Sequence, residues 1–139
     1  MFEIPPNEIN SPLSIDPNGR LFWWNEQPYR AIVPARVSFY RDLFERGIIQ
    51  SLVDKGLLIH TEISDFHLAG YGLVLKHQLV PFVSYPQEWC APMFKDAALL
   101  VIDLQIELWK HNLALQDAHA WNVLFDGAHP VYVDLGSIV

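Results

Sequence analysis

The sequence predicts an α+β fold: a small antiparallel sheet with a helix pair, then a buried helix, a polar loop and a β-hairpin. Three observations carry this. Short apolar runs bounded by Pro, Gly, Asn and Asp occupy much of residues 19–33 and 57–85, which is strand patterning. Apolar residues recur at helical spacing in 35–46, in a shorter run from Ile48, and over the greatest length in 93–111. Two further apolar runs, 123–125 and 131–133, flank Asp126-Gly127, a dipeptide that closes hairpins.

Taken in order, residues 3–18 carry four prolines and are expected as an irregular leader that ends in the turn Asp16-Pro17-Asn18-Gly19. Residues 20–24 and 29–33 follow as strands joined by a turn at 25–28. Adjacent Trp23 and Trp24 then face opposite sides of the sheet. In 35–46, Val37, Tyr40, Leu43 and Phe44 share one helical face, and Gly47 stands where a C-terminal cap belongs. A second, shorter helix runs to a stop at Gly56. Residues 57–63 and 72–76 read as strands, and 78–85 as an extended segment with Pro81 at an edge or bend. A proline- and aromatic-rich break at 84–92 leads into the longest helix. There Met93, Ala97, Leu100, Val101, Leu104 and Leu108 form a stripe that Ala98, Ile102, Ile106 and Trp109 widen nearly all round. Such a helix is expected at the centre of a domain. The chain reads as a single domain or a piece of one, with 1–84 and 85–139 as its parts.

Composition narrows the class. Of 139 residues 51% are hydrophobic and 18% charged, so the chain is built to bury a core rather than to stay disordered. A net charge of −7 offers no basic stripe to nucleic acid or anionic lipid. A lone cysteine, Cys90, excludes a disulfide framework and a cysteine-based zinc cluster. The longest apolar run, 97–102, falls far short of the ~20 residues that span a bilayer. With no secretion pattern at the amino terminus, a soluble cytoplasmic protein is the expectation.

Function concentrates in residues 113–136. Asp117 is followed by Asn122 and, across the hairpin, by Asp134. A hairpin brings Asn122, at its entrance, close to Asp134, at its exit, and Asp117 on the preceding loop reaches the same point. The stretch has no Lys or Arg. Two carboxylates and an amide oxygen suit a hard cation such as Mg²⁺, which takes oxygen ligands and arrives with phosphates. The same residues also fit a plain αββ unit with a capping Asp and a buried Asn.

The pattern Asp117-x4-Asn122 followed by Asp134-x-Gly136 resembles the catalytic and metal-binding loops of the protein-kinase-like superfamily, especially its small-molecule phosphotransferases. That resemblance implies a kinase-like fold with a small first lobe and a truncated second one. It implies ATP and Mg²⁺ as cofactors, with Asp117 as the base for the acceptor hydroxyl and Asn122 and Asp134 as metal ligands. It makes 84–89 the hinge, with Tyr85 stacking on adenine. Arg30 takes the place of the phosphate-pairing lysine, with Glu45 as its ion-pair partner; an exposed Arg on an edge strand is the alternative. No Gly-x-Gly-x-x-Gly loop is present, and His119 lies two residues after Asp117 as an orienting or packing residue. More narrowly, 21–32, 84–89, 95–100 and 131–138 look like the amino-terminal region of bacterial proteins, some nodulation-related, that carry an S-adenosylmethionine-dependent methyltransferase in their carboxy-terminal half. That likeness implies a methyltransferase domain as partner and leaves two functions open: an active phosphotransferase, or an inactive recognition module.

Overall fold

Two adjacent left-handed residues, Asn25 (φ 49°) and Glu26 (φ 60°), start the main sheet. Their turn has the twist that antiparallel strands need, and it joins β2 (Gly19–Trp24) to β3 (Gln27–Ile32) with Phe22 opposite Tyr29. Ahead of them β1 (Phe2–Glu3) pairs in parallel with β5 (Phe66–His67), so the leader expected to be irregular contributes a strand. The structure, a computed structural model, describes residues 1–12 and 16–139; positions 13–15 of that leader lie outside the described residues. The expected turn at 16–19 is present, with the Asn18 amide donating to the Asp16 carboxylate at 2.9 Å.

The chain divides into two units, residues 1–49 with 60–79 and residues 50–59 with 80–139. In the first, β4 (Thr61–Ile63) and β6 (Leu73–His77) complete an antiparallel sheet of order β2-β3-β6-β4. Alternation puts Phe22, Tyr29, Ala31 and Val74 on one face, where they pack with Ile4 and Leu68. Trp24 leans on this cluster and meets Phe66 edge-on, ring centres 4.9 Å apart. A 3-10 turn at Pro34–Arg36 leads into α1 (Val37–Glu45), and Gly47 (φ 72°) ends it as expected.

The other unit starts within α2 (Ile48–Asp54), which gives way at Gly56 to residues 57–59. These make one parallel bridge, Leu58 to Tyr132, so the strand expected over 57–63 is regular only in its last three residues. Residues 78–85 form no strand; Pro81 lacks the donor that ladder pairing needs, and the chain bends there instead. After a 3-10 turn at Pro86–Glu88 comes α3 (Ala91–Trp109). It buries Ala97, Leu100, Leu104 and Leu108 and packs against β8 (His129–Tyr132). The other expectation, a helix enclosed on all sides, is not met. Ile102 is 54% and Trp109 64% exposed, because the hairpin supplies a layer on one side only. Among the described residues no helix is long and apolar enough to cross a membrane.

Candidate active site

The loop carrying Asp117 is held from three directions. Its entry pairs with the last residues of the chain: Ala114 and Val139 exchange amide–carbonyl bonds of 2.9 Å each, and the Gln116 amide donates to the Ser137 carbonyl at 2.7 Å. Gln105 of α3 accepts the Leu115 amide at 3.0 Å. Further on, a 3-10 turn at Ala120–Asn122 opens directly into β7 (Val123–Asp126), which pairs with β8. Gly127 (φ 61°) takes the first central position of the hairpin turn, one place later than the Asp126-Gly127 pair suggested, so Asp126 remains in the strand. The hairpin's open end is closed by the Val133 amide donating to the Asn122 carbonyl at 2.9 Å.

This lacing converges on one atom, the main-chain oxygen of Asp117. It accepts from the Tyr132 hydroxyl at 2.6 Å, from Asn122 Nδ2 at 3.0 Å and from the Ser137 hydroxyl at 3.1 Å. Ser137 also accepts the Asp117 amide at 2.7 Å, and Asn122 Nδ2 lies 3.3 Å from the Tyr132 oxygen. Because the carbonyl can only accept, Asn122 must turn its NH₂ inward, which leaves its amide oxygen as the atom facing away from the clamp. Tyr132 is fully buried, and burial is the first cause that raises its pKa. Bonds from Ser137 and Asn122 oppose the rise, while the carboxylates of Asp134 and Asp117 add to it. Asp117 itself is exposed and Asp134 half-buried. Asp117 and Asn122 are thus tied through the Asp117 carbonyl, and Asp134 directly follows Val133, whose amide bonds to the Asn122 carbonyl. Among the described residues no group of three or more His, Cys, Asp or Glu side chains is placed to hold a metal. In chemical type the carboxylates of Asp117 and Asp134 and the amide oxygen of Asn122 fit Mg²⁺, which commonly takes one or two carboxylates and completes its shell with water and phosphate.

The other expected residues stand as follows. Tyr85 precedes the 3-10 turn, its amide bonded to the Glu88 carboxylate at 3.1 Å, and its half-exposed ring meets that of Trp121 at 5.5 Å. His119 accepts the Trp121 amide on Nδ1 at 3.1 Å, so it orients the loop. Arg30, in the first unit, is neither exposed nor on an edge: β3 lies between β2 and β6, and only 4% of the residue is accessible. Its ion pair, at 2.7 Å, is with Asp16, whereas Glu45 sits exposed on α1. Sequence reasoning missed Tyr132 and Ser137. The signal was faint: one hydroxyl inside the apolar run 131–133, another directly after Gly136.

The fold is protein-kinase-like. A cysteine-to-alanine variant of the Mycobacterium tuberculosis PknI kinase domain superposes with a TM-score of 0.50 at 15% identity, over 93% of this chain and 59% of that domain. The unsubstituted PknI domain aligns with a TM-score of 0.48. In sequence, the chain is 31% identical over 128 residues to the nodulation protein NoeA of Rhizobium meliloti (strain 1021). That match takes in 88% of this chain and 26% of NoeA, so the chain spans about a quarter of this relative. No protein-family profile matches.

Proposed function

We propose that this chain is a nucleotide- and Mg²⁺-binding kinase-like domain that transfers phosphate to a small molecule. What supports this reading is the backbone that ties Asp117 to Asn122 through the Asp117 carbonyl and sets Asp134 one residue after the bond from Val133 to Asn122. Asn122, through its outward amide oxygen, and Asp134 hold the cation, which supplies charge neutralisation on the phosphates. The acceptor hydroxyl oxygen bonds to the γ-phosphorus as the bond from that phosphorus to the bridging oxygen breaks. ADP leaves, and the hydroxyl proton passes to Asp117. Tyr85, half exposed, offers a ring to the purine.

Calorimetric titration with ATP, with and without Mg²⁺, tests this. Binding should require the metal and vanish in Asp134→Ala. Asp117→Ala should keep nucleotide and lose roughly 10²–10⁴-fold in rate. Full metal-dependent affinity in Asp134→Ala would overturn the assignment. Arg30 favours a second reading, in which the chain is an inactive recognition module for a methyltransferase: the cation assigned to the phosphates is buried and paired with Asp16. Absence of nucleotide binding, with capture of an S-adenosylmethionine-dependent methyltransferase domain, supports that alternative.

A further inference from the structure

Beside the clamp stands a side chain that the proposed chemistry leaves unused. Trp121 immediately precedes Asn122, and 51% of it is exposed. Its placement is fixed nonetheless. It sits in the 3-10 turn at Ala120–Asn122, its amide is tied to His119 Nδ1, and Tyr85 leans against its ring at 49°. The His119 ring is nearly parallel to the indole, 17° between planes with centres 6.5 Å apart. The indole is thus a large ring, braced by two others and half open to water, within five residues of the proposed base.

We infer that Trp121 is a platform for a pyranose ring and that the acceptor of this site is a saccharide; this rests on the phosphotransferase reading above. An indole face carries negative charge density and attracts the weakly positive C–H groups that line one side of a pyranose. The hydroxyl rim of a sugar then needs polar partners around the ring edge. His119 offers a donor: with Nδ1 accepting, the neutral imidazole carries its proton on Nε2. Asp117, exposed on the same loop, offers an acceptor, and the hydroxyl it takes is the one that receives phosphate. A quaternary ammonium would ask for enclosing aromatic walls, and both Trp121 and Tyr85 are half open.

The test follows the indole N–H resonances of the intact chain by NMR during titration with methyl β-D-glucopyranoside and cellobiose. Sorbitol and tetramethylammonium serve as comparison ligands. The Trp121 signal, identified by its loss in Trp121→Phe, should move with the two sugars and not with sorbitol or tetramethylammonium. The remaining indole signals of Trp121→Ala should report binding about tenfold weaker than in wild type, with Trp121→Phe in between. No response to the sugars, an equal response in Trp121→Ala, or a response to tetramethylammonium instead would overturn the platform. Metal-dependent ATP binding measured on the same samples separates the two proposals. Nucleotide binding without sugar binding refutes the platform alone. Sugar binding at Trp121 without nucleotide binding keeps the platform and refutes the transfer.

Discussion

His77 should make this protein acid-sensitive well above the range where carboxylates titrate. The imidazole sits at the end of β6, 5% exposed, with Nδ1 2.8 Å from the Thr61 hydroxyl. Nε2 is buried and finds no hydrogen-bond partner among the described residues. A proton added there would have no acceptor. Burial lowers the pKa from 6.5 to about 3, and the Arg30 guanidinium adds to the effect. Since the folded pKa lies below the unfolded one, the unfolded chain takes up the proton first as pH falls. Stability is therefore complete above about pH 6.5 and is lost progressively toward pH 3. At 1.36 kcal/mol per pK unit, the group accounts for a loss of about 2 kcal/mol between pH 7 and pH 5. Urea unfolding followed by tryptophan fluorescence measures it. With a slope of ~2 kcal/mol/M, the wild-type midpoint should fall by about 1 M over that interval beyond any fall in His77→Asn. The variant keeps a polar atom for Thr61 but cannot titrate. Identical pH dependence in the two proteins would refute the argument, whatever their absolute stabilities.

Three further perturbations probe the frame of the site. Tyr132→Phe removes one of three donors to the Asp117 carbonyl and should cost about 1–2 kcal/mol in denaturant unfolding, with weaker Mg²⁺-dependent ATP binding; unchanged nucleotide affinity would show that the clamp does not position Asn122. Leu104→Ala empties a fully buried position on α3 and should cost about 2–5 kcal/mol, read from the urea midpoint. Gly72→Ala drives a methyl to 2.5 Å from the Val37 side chain and 3.3 Å from the Pro34 backbone, so α1 must shift; a loss of about 1–3 kcal/mol is expected, and an unchanged midpoint would contradict the close approach.

What could be read from the sequence was whatever repeats locally. The hairpin at 19–32 announced itself through turn residues between apolar runs, and the stripe through Ala97, Leu100, Leu104 and Leu108 followed from helical spacing. Periodicity reports that a face is apolar, not what lies on it, which is why Ile102 and Trp109 were expected inside. The hairpin between Asn122 and Asp134 was legible from two apolar runs around Asp126-Gly127. The means of holding the Asp117 loop were not. Tyr132 and Ser137 act through hydroxyls on a main-chain oxygen, and that target has no letter in the sequence. Arg30 and Asp16 are fourteen positions apart across a leader, a pairing that no local pattern encodes.

The way Asp117 is held separates two properties that usually change together. Every bond that anchors this position to Asn122, Tyr132 and Ser137 is made by its backbone. The side chain can therefore be exchanged without loosening the loop, and an Asp117→Asn protein should melt like the parent. If the transfer proposed above operates, a lineage carrying this architecture has a short mutational path from enzyme to receptor: one substitution removes the base, while the loop around it keeps its shape. Selection for recognition alone could then preserve the shape long after turnover had ceased to matter.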